Sequence, residues 1–527
     1  MNAAGVRRAA TNPWLIAVLV AGASFMETLD STIANVILPY IAGGMGVSED
    51  EASWVVTTYL VANAVIVTAT SFLANRFGRK RFFLICLALF TASSLMCGLA
   101  ANLQSILLFR ILQGLAGGGM VPVAQSILAD AFPPEKRGQG FALFGVAVVV
   151  APVVGPTLGG WLADNVAWSW CFLINVPVGI LLMVAIAMIL HEPEDAVEKR
   201  REYQRQSGGF DIVGFALVAT FLGALELALD RGLEDDWFGS PFIVKVVAAS
   251  ALAFVLLIPW EFRHRHPAVN VRLLATRQFA ASFLVMLATG AILLSTTQVM
   301  PQMVQQDFGY TATWAGLVLS PGGMVTMLMM FVAGRLSGKI QPKYLIATGA
   351  LICALSMWGL TSTYGDLGFW FFARSRLLLG VGLPLIFVSI MAASYDGVPA
   401  TKTDEASALM NAARNTGGSI GISIVSNVLA HRAQFHQSRL AENAIPSNVQ
   451  FQDTVNQVTN YFVAQGNSLA QAHQQAIAWI GQQIQAQASL LGYVDAFWVL
   501  MLISLAAVPL ALTLRKVKLG GPARMGH

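Results

Sequence analysis

Apolar runs of about twenty residues recur from one end of the chain to the other, and short turns between them carry most of the charge. A helix of that length matches the ~30 Å hydrocarbon core of a bilayer. The ten-residue alternation of a transmembrane strand is absent, so the pattern predicts helices rather than a barrel. Fourteen spans are expected, at 14–38, 54–75, 81–101, 105–129, 140–163, 169–190, 211–230, 241–261, 279–301, 312–334, 344–363, 370–393, 405–430 and 489–514. The chain therefore reads as an all-α polytopic membrane protein.

The fifth run holds an unusual stretch. Gly145, Gly155, Gly159 and Gly160 leave a smooth helix face, while Pro152 and Pro156 bend or loosen the backbone ladder. In water this composition argues against a helix. Inside a bilayer it is tolerated, and small residues favour close helix packing. Two readings stand: a tight packing site with no moving role, or a bendable seam between bundles that rock against each other.

Charge sets the orientation. With a cytoplasmic N-terminus, the inside loops hold 24 of the 32 Lys and Arg residues and the outside loops hold three, Arg231, Arg432 and Arg439. That asymmetry places both termini in the cytoplasm. The basic inner turns include Arg76, Arg79, Lys80 and Arg81, then Lys199, Arg200, Arg201 and Arg205, then Arg263, Arg265, Arg272 and Arg277. Two of these turns resemble each other: Ser71–Lys80 between the second and third spans, and Ala333–Lys339 between the tenth and eleventh. Such a repeat fits two parallel six-helix units, 1–200 and 266–527, with an inserted pair of spans at 201–265. The second unit would include an outer-side polar segment, 431–488, rich in Gln, Ala and Asn, with amphipathic helical potential broken near Gly466 or Asn467.

Composition agrees: 56% of residues are hydrophobic and 11% charged, where soluble domains carry roughly 25% charged. The basic balance belongs to membrane-flanking turns and gives no reason to expect nucleic acid. Cys86, Cys97, Cys171 and Cys353 lie within apolar runs with neither metal-ligand nor disulfide spacing. The first run, from about Pro13 to Pro39, is too long for a cleavable signal core. No Walker A sequence or selectivity-filter run occurs. A carrier driven by an ion gradient, with no metal and no cofactor, is the economical reading.

Polar groups inside spans are costly and mark candidate chemistry. Glu27 and Asp30 are three apart on the first span and share a face, with Asn35 near the same line. Two carboxylates close together in an apolar setting suit proton uptake and release; pairing with nearby polar helices is the plainer reading. Arg110 on the fourth span stays charged and needs acceptors, for which a first-span carboxylate is a natural partner. Structural anchoring, or snorkelling to the membrane edge, would also accommodate it. Asn63, Gln113, Gln125, Glu226, Gln298, Gln302, Arg414 and Asn415 are cavity candidates, each equally able to serve as helix–helix glue. Arg374 and Arg376, two apart, cannot both face one way.

Four motifs in order give a resemblance. Leu29-Asp-Ser-Thr-Ile-Ala-Asn-Val-Ile-Leu-Pro39 lies on the first span, and Leu73, Ala74, Arg76, Gly78, Arg79 and Lys80 lie in the following inner turn. Arg110, Gln113 and Gly114 lie on the fourth span, with Gly145, Pro152, Gly155, Pro156, Gly159 and Gly160 on the fifth. Together they resemble the fourteen-span drug:proton antiporters of the major facilitator superfamily. Ser71 and Asn75 stand where that family usually has glycine and aspartate. Leu229–Gly232, Asp236-Trp-Phe238 and Gly309–Leu317 extend the similarity to the inner-membrane pumps of Gram-negative tripartite exporters. The resemblance implies a major facilitator fold in the bacterial inner membrane and proton-driven export of hydrophobic, chemically varied compounds. It also implies a periplasmic membrane-fusion adaptor and a TolC-type outer-membrane channel as partners. Asp30 would be the proton-coupling residue, with Arg110 beside it, and the turn and fifth-span motifs would serve conformational change; Glu27 stands where that family is expected to have a neutral polar residue, so a proton role for it would be particular to this chain. A narrow metabolite transporter and a non-transporting membrane scaffold or sensor remain the alternatives.

Overall fold

The computed structural model describes residues 12–133, 136–190, 211–264, 269–365, 367–396, 398 and 402–517. The basic run Lys199–Arg205, Arg265 and the expected boundaries at 200/201 and 265/266 lie outside the described residues.

Among the described residues every regular element is helical. The first half of the chain forms α1 (Pro13–Val36), α2 (Leu38–Met45), α3 (Glu49–Phe77), α4 (Arg79–Gly98), α5 (Leu103–Ala131), α6 (Arg137–Asn165), α7 (Trp170–Leu173) and α8 (Asn175–Ile189). Then come α9 (Ile212–Arg231) and α10 (Pro241–Arg263). The second half forms α11 (Arg277–Gln306), α12 (Ala312–Leu336), α13 (Pro342–Leu360), α14 (Phe369–Ser394), α15 (Thr403–Ala441), α16 (Val449–Ala464) and α17 (Leu469–Leu512).

Local chemistry sets the ends. Pro13, Pro241 and Pro342 open helices where their missing N–H costs nothing. Ser48 with Glu51, and Ser468 with Gln471, form reciprocal capping boxes at α3 and α17. Gly78, with φ at +88°, separates α3 from α4 in a single residue while its N–H still closes onto the Ala74 carbonyl. The turn is thus as short as a bilayer-edge connection can be.

Among the described residues twelve helices are long and apolar enough to cross a bilayer, and α6 makes thirteen if its two bent pieces count as one span. The remaining long helix, α15, is the expected thirteenth span, and its polar content keeps it outside that set. It carries Asn411, Arg414, Asn415 and Ser419, and it packs on α3, α5, α9, α11 and α17 rather than standing alone.

Glycine faces make the close crossings. A Cβ at Gly114 would lie 2.4 Å from the Tyr59 carbonyl oxygen, and one at Gly118 2.5 Å from that of Asn63, so α5 meets α3 backbone to backbone. Across the halves, a Cβ at Gly138 would lie 2.6 Å from Ser337 Oγ, and one at Gly334 2.9 Å from the Gly138 carbonyl oxygen. The start of α6 and the end of α12 are sealed there.

The segment 431–488, expected as a polar outer segment with amphipathic helical potential broken near Gly466 or Asn467, is largely helical. α15 continues to Ala441, α16 follows, and α17 begins at Leu469 after a turn at Gly466 with φ at +97°. Glutamine and alanine are good helix formers even without an apolar stripe. At 1.5 Å per residue, the 44 residues of α17 extend about 66 Å, roughly twice the hydrocarbon thickness.

Candidate functional site: a buried charge cluster facing the seam between the halves

Asp30 and Glu27 face the interior of the first half from α1, and they diverge. Asp30 is bound in a closed polar cluster. Arg110 Nη1 donates to its Oδ2 at 2.7 Å, while Gln113 Nε2 and Asn175 Nδ2 donate to its Oδ1 at 3.0 and 2.6 Å. Both Arg110 and Asp30 have side chains fully sealed from solvent. Arg110 is held further by Nε donation to the Val55 carbonyl (3.0 Å), by Nη1 donation to Gln113 (2.8 Å) and by the Tyr59 ring, whose centroid lies 4.2 Å from the guanidinium carbon. Ser94 accepts from both Gln113 and Asn175. Snorkelling is excluded in this conformation, since no part of Arg110 reaches the surface.

A charge pair this deep survives only when the remaining lone pairs and protons find partners. The amides of Gln113 and Asn175 and the hydroxyl of Ser94 supply most of them, and Arg110 Nη2 alone of the guanidinium nitrogens is buried without a hydrogen-bond partner. Four helices, α1, α4, α5 and α8, thereby converge on one carboxylate, with α3 adding the Val55 carbonyl and the Tyr59 ring.

Glu27 turns the other way. Tyr59 donates its hydroxyl to Glu27 Oε1 at 2.9 Å, and Asn63 Nδ2 donates to the same oxygen at 3.1 Å. Beyond it lies a small cavity lined from the first half by Glu27, Asn63, Gly117 and Pro122, and from the second by Asn411, Arg414 and Asn415. Asn415 Nδ2 reaches Asn63 Oδ1 at 3.4 Å, and Arg414 donates to Asn415 Oδ1 at 3.1 Å. Tyr59 is therefore the hinge between two environments: its hydroxyl holds the cavity carboxylate, and its ring face holds the arginine of the sealed pair. Neither Tyr59, Asn175 nor Ser94 has a signature in sequence, because a single polar residue in a span does not announce which helix it will meet.

The other candidates divide. Gln125 bridges the halves, accepting from Asn411 Nδ2 at 2.6 Å and Ser407 Oγ at 3.0 Å. Glu226 on α9 accepts from Ser419 of α15 at 2.6 Å. Asp230 accepts from Thr57 of α3, and Arg231 pairs with Asp50 at 2.9 Å. Asn35 is exposed and donates back to the Ser31 carbonyl of its own helix. Gln298 is exposed and Gln302 half-buried, and neither lines the cavity. Arg374 is exposed and Arg376 buried, as their spacing requires.

The conformational motifs also take definite places. Arg79 pairs with Asp130 at the end of α5, and Lys80 Nζ caps the Ala187 carbonyl at the end of α8 at 2.7 Å. Arg76 is exposed beside them. In α6, Gly145 faces Met330 and Phe387 of the second half, whereas Gly155 and Gly159 face Thr32 and Ile33 of α1. Gly160 and Pro152 are buried and Pro156 is half-buried. The helix bends by 41° between Arg137–Pro152 and Val154–Asn165, as a helix-interior proline causes. Thr157, between Gly155 and Gly159, meets Gly316 of α12, so α6 touches the second half at both ends and α1 at one. All four cysteines are buried and unpaired.

The Major Facilitator Superfamily pattern matches residues 20–422. The chain is 34% identical to the multidrug export protein EmrB of Haemophilus influenzae, over 92% of each chain. It is 34% identical to the EmrB of Escherichia coli K12, over 90% of each. It is also 34% identical to the fatty acid resistance protein FarB of Neisseria gonorrhoeae, over 85% of this chain and 87% of that one. In three dimensions it resembles the crystal structure of the human organic anion transporter MFSD10, with TM-score 0.56 at 14% identity, over 93% of this chain and 99% of that one; this likeness concerns the fold. With a matched pattern spanning most of the chain and relatives aligned end to end, the chain belongs to the major facilitator superfamily and, within it, to the group of EmrB-like export proteins.

Proposed function

We propose that this chain is the inner-membrane pump of a multidrug exporter, moving hydrophobic toxic compounds outward in exchange for protons by alternating access. The observation that carries this reading is the pairing of a sealed carboxylate with a cavity carboxylate one helical turn apart. Glu27, at the cavity between the halves, is placed to meet protons and cargo. Asp30, three residues on, holds Arg110 and Gln113 of α5 and Asn175 of α8, with α3 joined through Arg110 and α4 through Ser94. A proton delivered to Asp30 removes the charge that fixes Arg110. The cluster then loses its strongest contact, and the first half is free to shift against the second.

In this reading α15 is the thirteenth span and brings the total to fourteen, its polar residues buried against neighbouring helices, and the two halves form six-helix bundles, 1–200 and 266–527, with α9 and α10 inserted between them. Both termini are cytoplasmic by the distribution of Lys and Arg. The helical extension built from α15, α16 and α17 then stands on the periplasmic side, where an adaptor of the membrane-fusion type and a TolC-type channel would complete the export path. The names of the EmrB relatives support the multidrug assignment.

Transport of a fluorescent hydrophobic cation in proteoliposomes, with and without an imposed pH gradient, tests the proposal. Gradient-driven movement is expected for the native chain and is lost in Asp30→Asn. Undiminished coupled transport by that variant would sink the assigned role of Asp30.

A further inference from the structure

The second half of the chain contains a structural copy of the Arg110 site from which the partners have gone. Arg110 is the eighth residue of α5, and Arg376 is the eighth residue of α14. A glycine follows four residues later in each case, Gly114 and Gly380. A Cβ at Gly114 would lie 2.4 Å from the carbonyl oxygen of Tyr59, the eleventh residue of α3; one at Gly380 would lie 2.5 Å from that of Gly322, the eleventh residue of α12. The two arginines thus occupy matching places in matching helix pairs.

Their surroundings differ. Where Arg110 has Gln113 three residues on, Arg376 has Leu379. Where Arg110 rests on the Tyr59 ring, the second half has Gly322, whose own Cβ would lie 2.9 Å from the Arg376 Cβ. Where Arg110 meets Asp30 of α1, helices α11, α12, α13 and α14 contain no Asp or Glu at all. Arg376 is nonetheless 6% exposed, and its Nε and Nη2 have no hydrogen-bond partner. A guanidinium cannot shed its charge to relieve burial, and a buried unpaired charge costs folding free energy. Such a group presents a planar fork that an incoming carboxylate or phosphate satisfies.

We propose that Arg376 is a binding site for the anionic head group of an amphiphile, with the carboxylate of an amphipathic acid as the substrate form. The arginine kept in the first half as part of a relay serves in the second half as a receptor for charge. This proposal deepens the export reading, yet its binding arm stands apart from transport. Two sources carry the same chemistry, a fatty carboxylate and an anionic lipid, and the experiment separates them.

Purified protein is held in nanodiscs of zwitterionic lipid, and thermal unfolding is followed with decanoate, with decanol as the uncharged match, or with phosphatidylglycerol built into the disc. The native chain is stabilised by decanoate and not by decanol, and R376Q requires a roughly tenfold or greater decanoate concentration for the same shift. Stabilisation by phosphatidylglycerol alone, lost in R376Q, assigns the same anion site to lipid. Without any anion, R376Q unfolds no lower than the native chain, whereas R110Q unfolds lower, because only Arg110 has partners to orphan. In gradient-driven proteoliposomes R376Q loses decanoate export and keeps export of a hydrophobic cation. Equal decanoate and lipid responses in the native chain and R376Q would overturn the site. Absence of all export by the native chain, with R376Q-sensitive decanoate binding intact, would count against the transport reading and leave the site standing.

Discussion

At the scale of single residues, the site is a division of labour between two carboxylates on one helix face. Asp30 accepts three hydrogen bonds in a sealed cluster, while Glu27 accepts from Tyr59 and Asn63 at the edge of the cavity. Substituting Arg110 by lysine keeps the charge but loses the fork that reaches Asp30, Gln113 and the Val55 carbonyl together. Insertion near the native level is expected, with thermal unfolding lowered by about 2–4 kcal/mol and coupled transport lost; native-like transport by R110K would reduce Arg110 to a point charge. Tyr59→Phe is the finer test. It keeps the ring beneath Arg110 and removes only the donor to Glu27, so it costs about 1 kcal/mol in denaturation and slows transport far less than D30N. The sequence made the pair of carboxylates and Arg110 visible because charged residues within apolar runs are conspicuous. It left Tyr59, Ser94 and Asn175 hidden, because a lone hydroxyl or amide in a span is compatible with many neighbours, and only the packing of α3, α4 and α8 selects one.

At the scale of elements, what was legible was spacing and what was not was facing. The glycines and prolines of α6 were evident as a place where helices come close, and the bend falls at Pro152. Which glycine meets which helix was not, because α6 rotates its small residues past two different partners, Gly145 toward Met330 and Gly155 toward Thr32. The seal between α6 and α12 rests on Gly138 and Gly334, and only Gly334 lay in a recognisable turn motif. A Gly138→Cys, Ser337→Cys double variant is expected to form a disulfide in the present conformation, since the two positions touch. Cross-linking should arrest transport and reduction should restore it. The four native cysteines are buried and should not compete. Transport unaffected by complete cross-linking would show that this crossing stays closed throughout the cycle.

For the whole molecule, the two largest departures from an ordinary span pattern are the overlong α15 and α17. They run side by side, tied where Arg432 and His436 both contact Asp495. Replacing residues 442–488 by a short Gly-Ser linker removes α16 and the first part of α17. The expected result is lost adaptor capture in detergent extracts with vesicle transport retained; capture by the shortened chain would place docking elsewhere. The polar composition of this region was plain in the sequence. Its continuity with two spans was not, since a polar helical pattern next to an apolar run does not say whether the helix carries on past the end of the span.

Helix α9 touches both halves, packing on α3 and α15. It is fastened to α3 through Arg231 with Asp50 and Asp230 with Thr57, and to α15 through Glu226 with Ser419; the adjoining Trp237 donates to Asn427 at 2.7 Å. A part joined to both jaws of a clamp limits how far they spread. The fastening to the first half includes an ion pair and that to the second only neutral donors, so the second is the side that yields first. Under the proposed alternating access, the two hydrogen bonds to α15 are the part of this strap that breaks first as the halves separate.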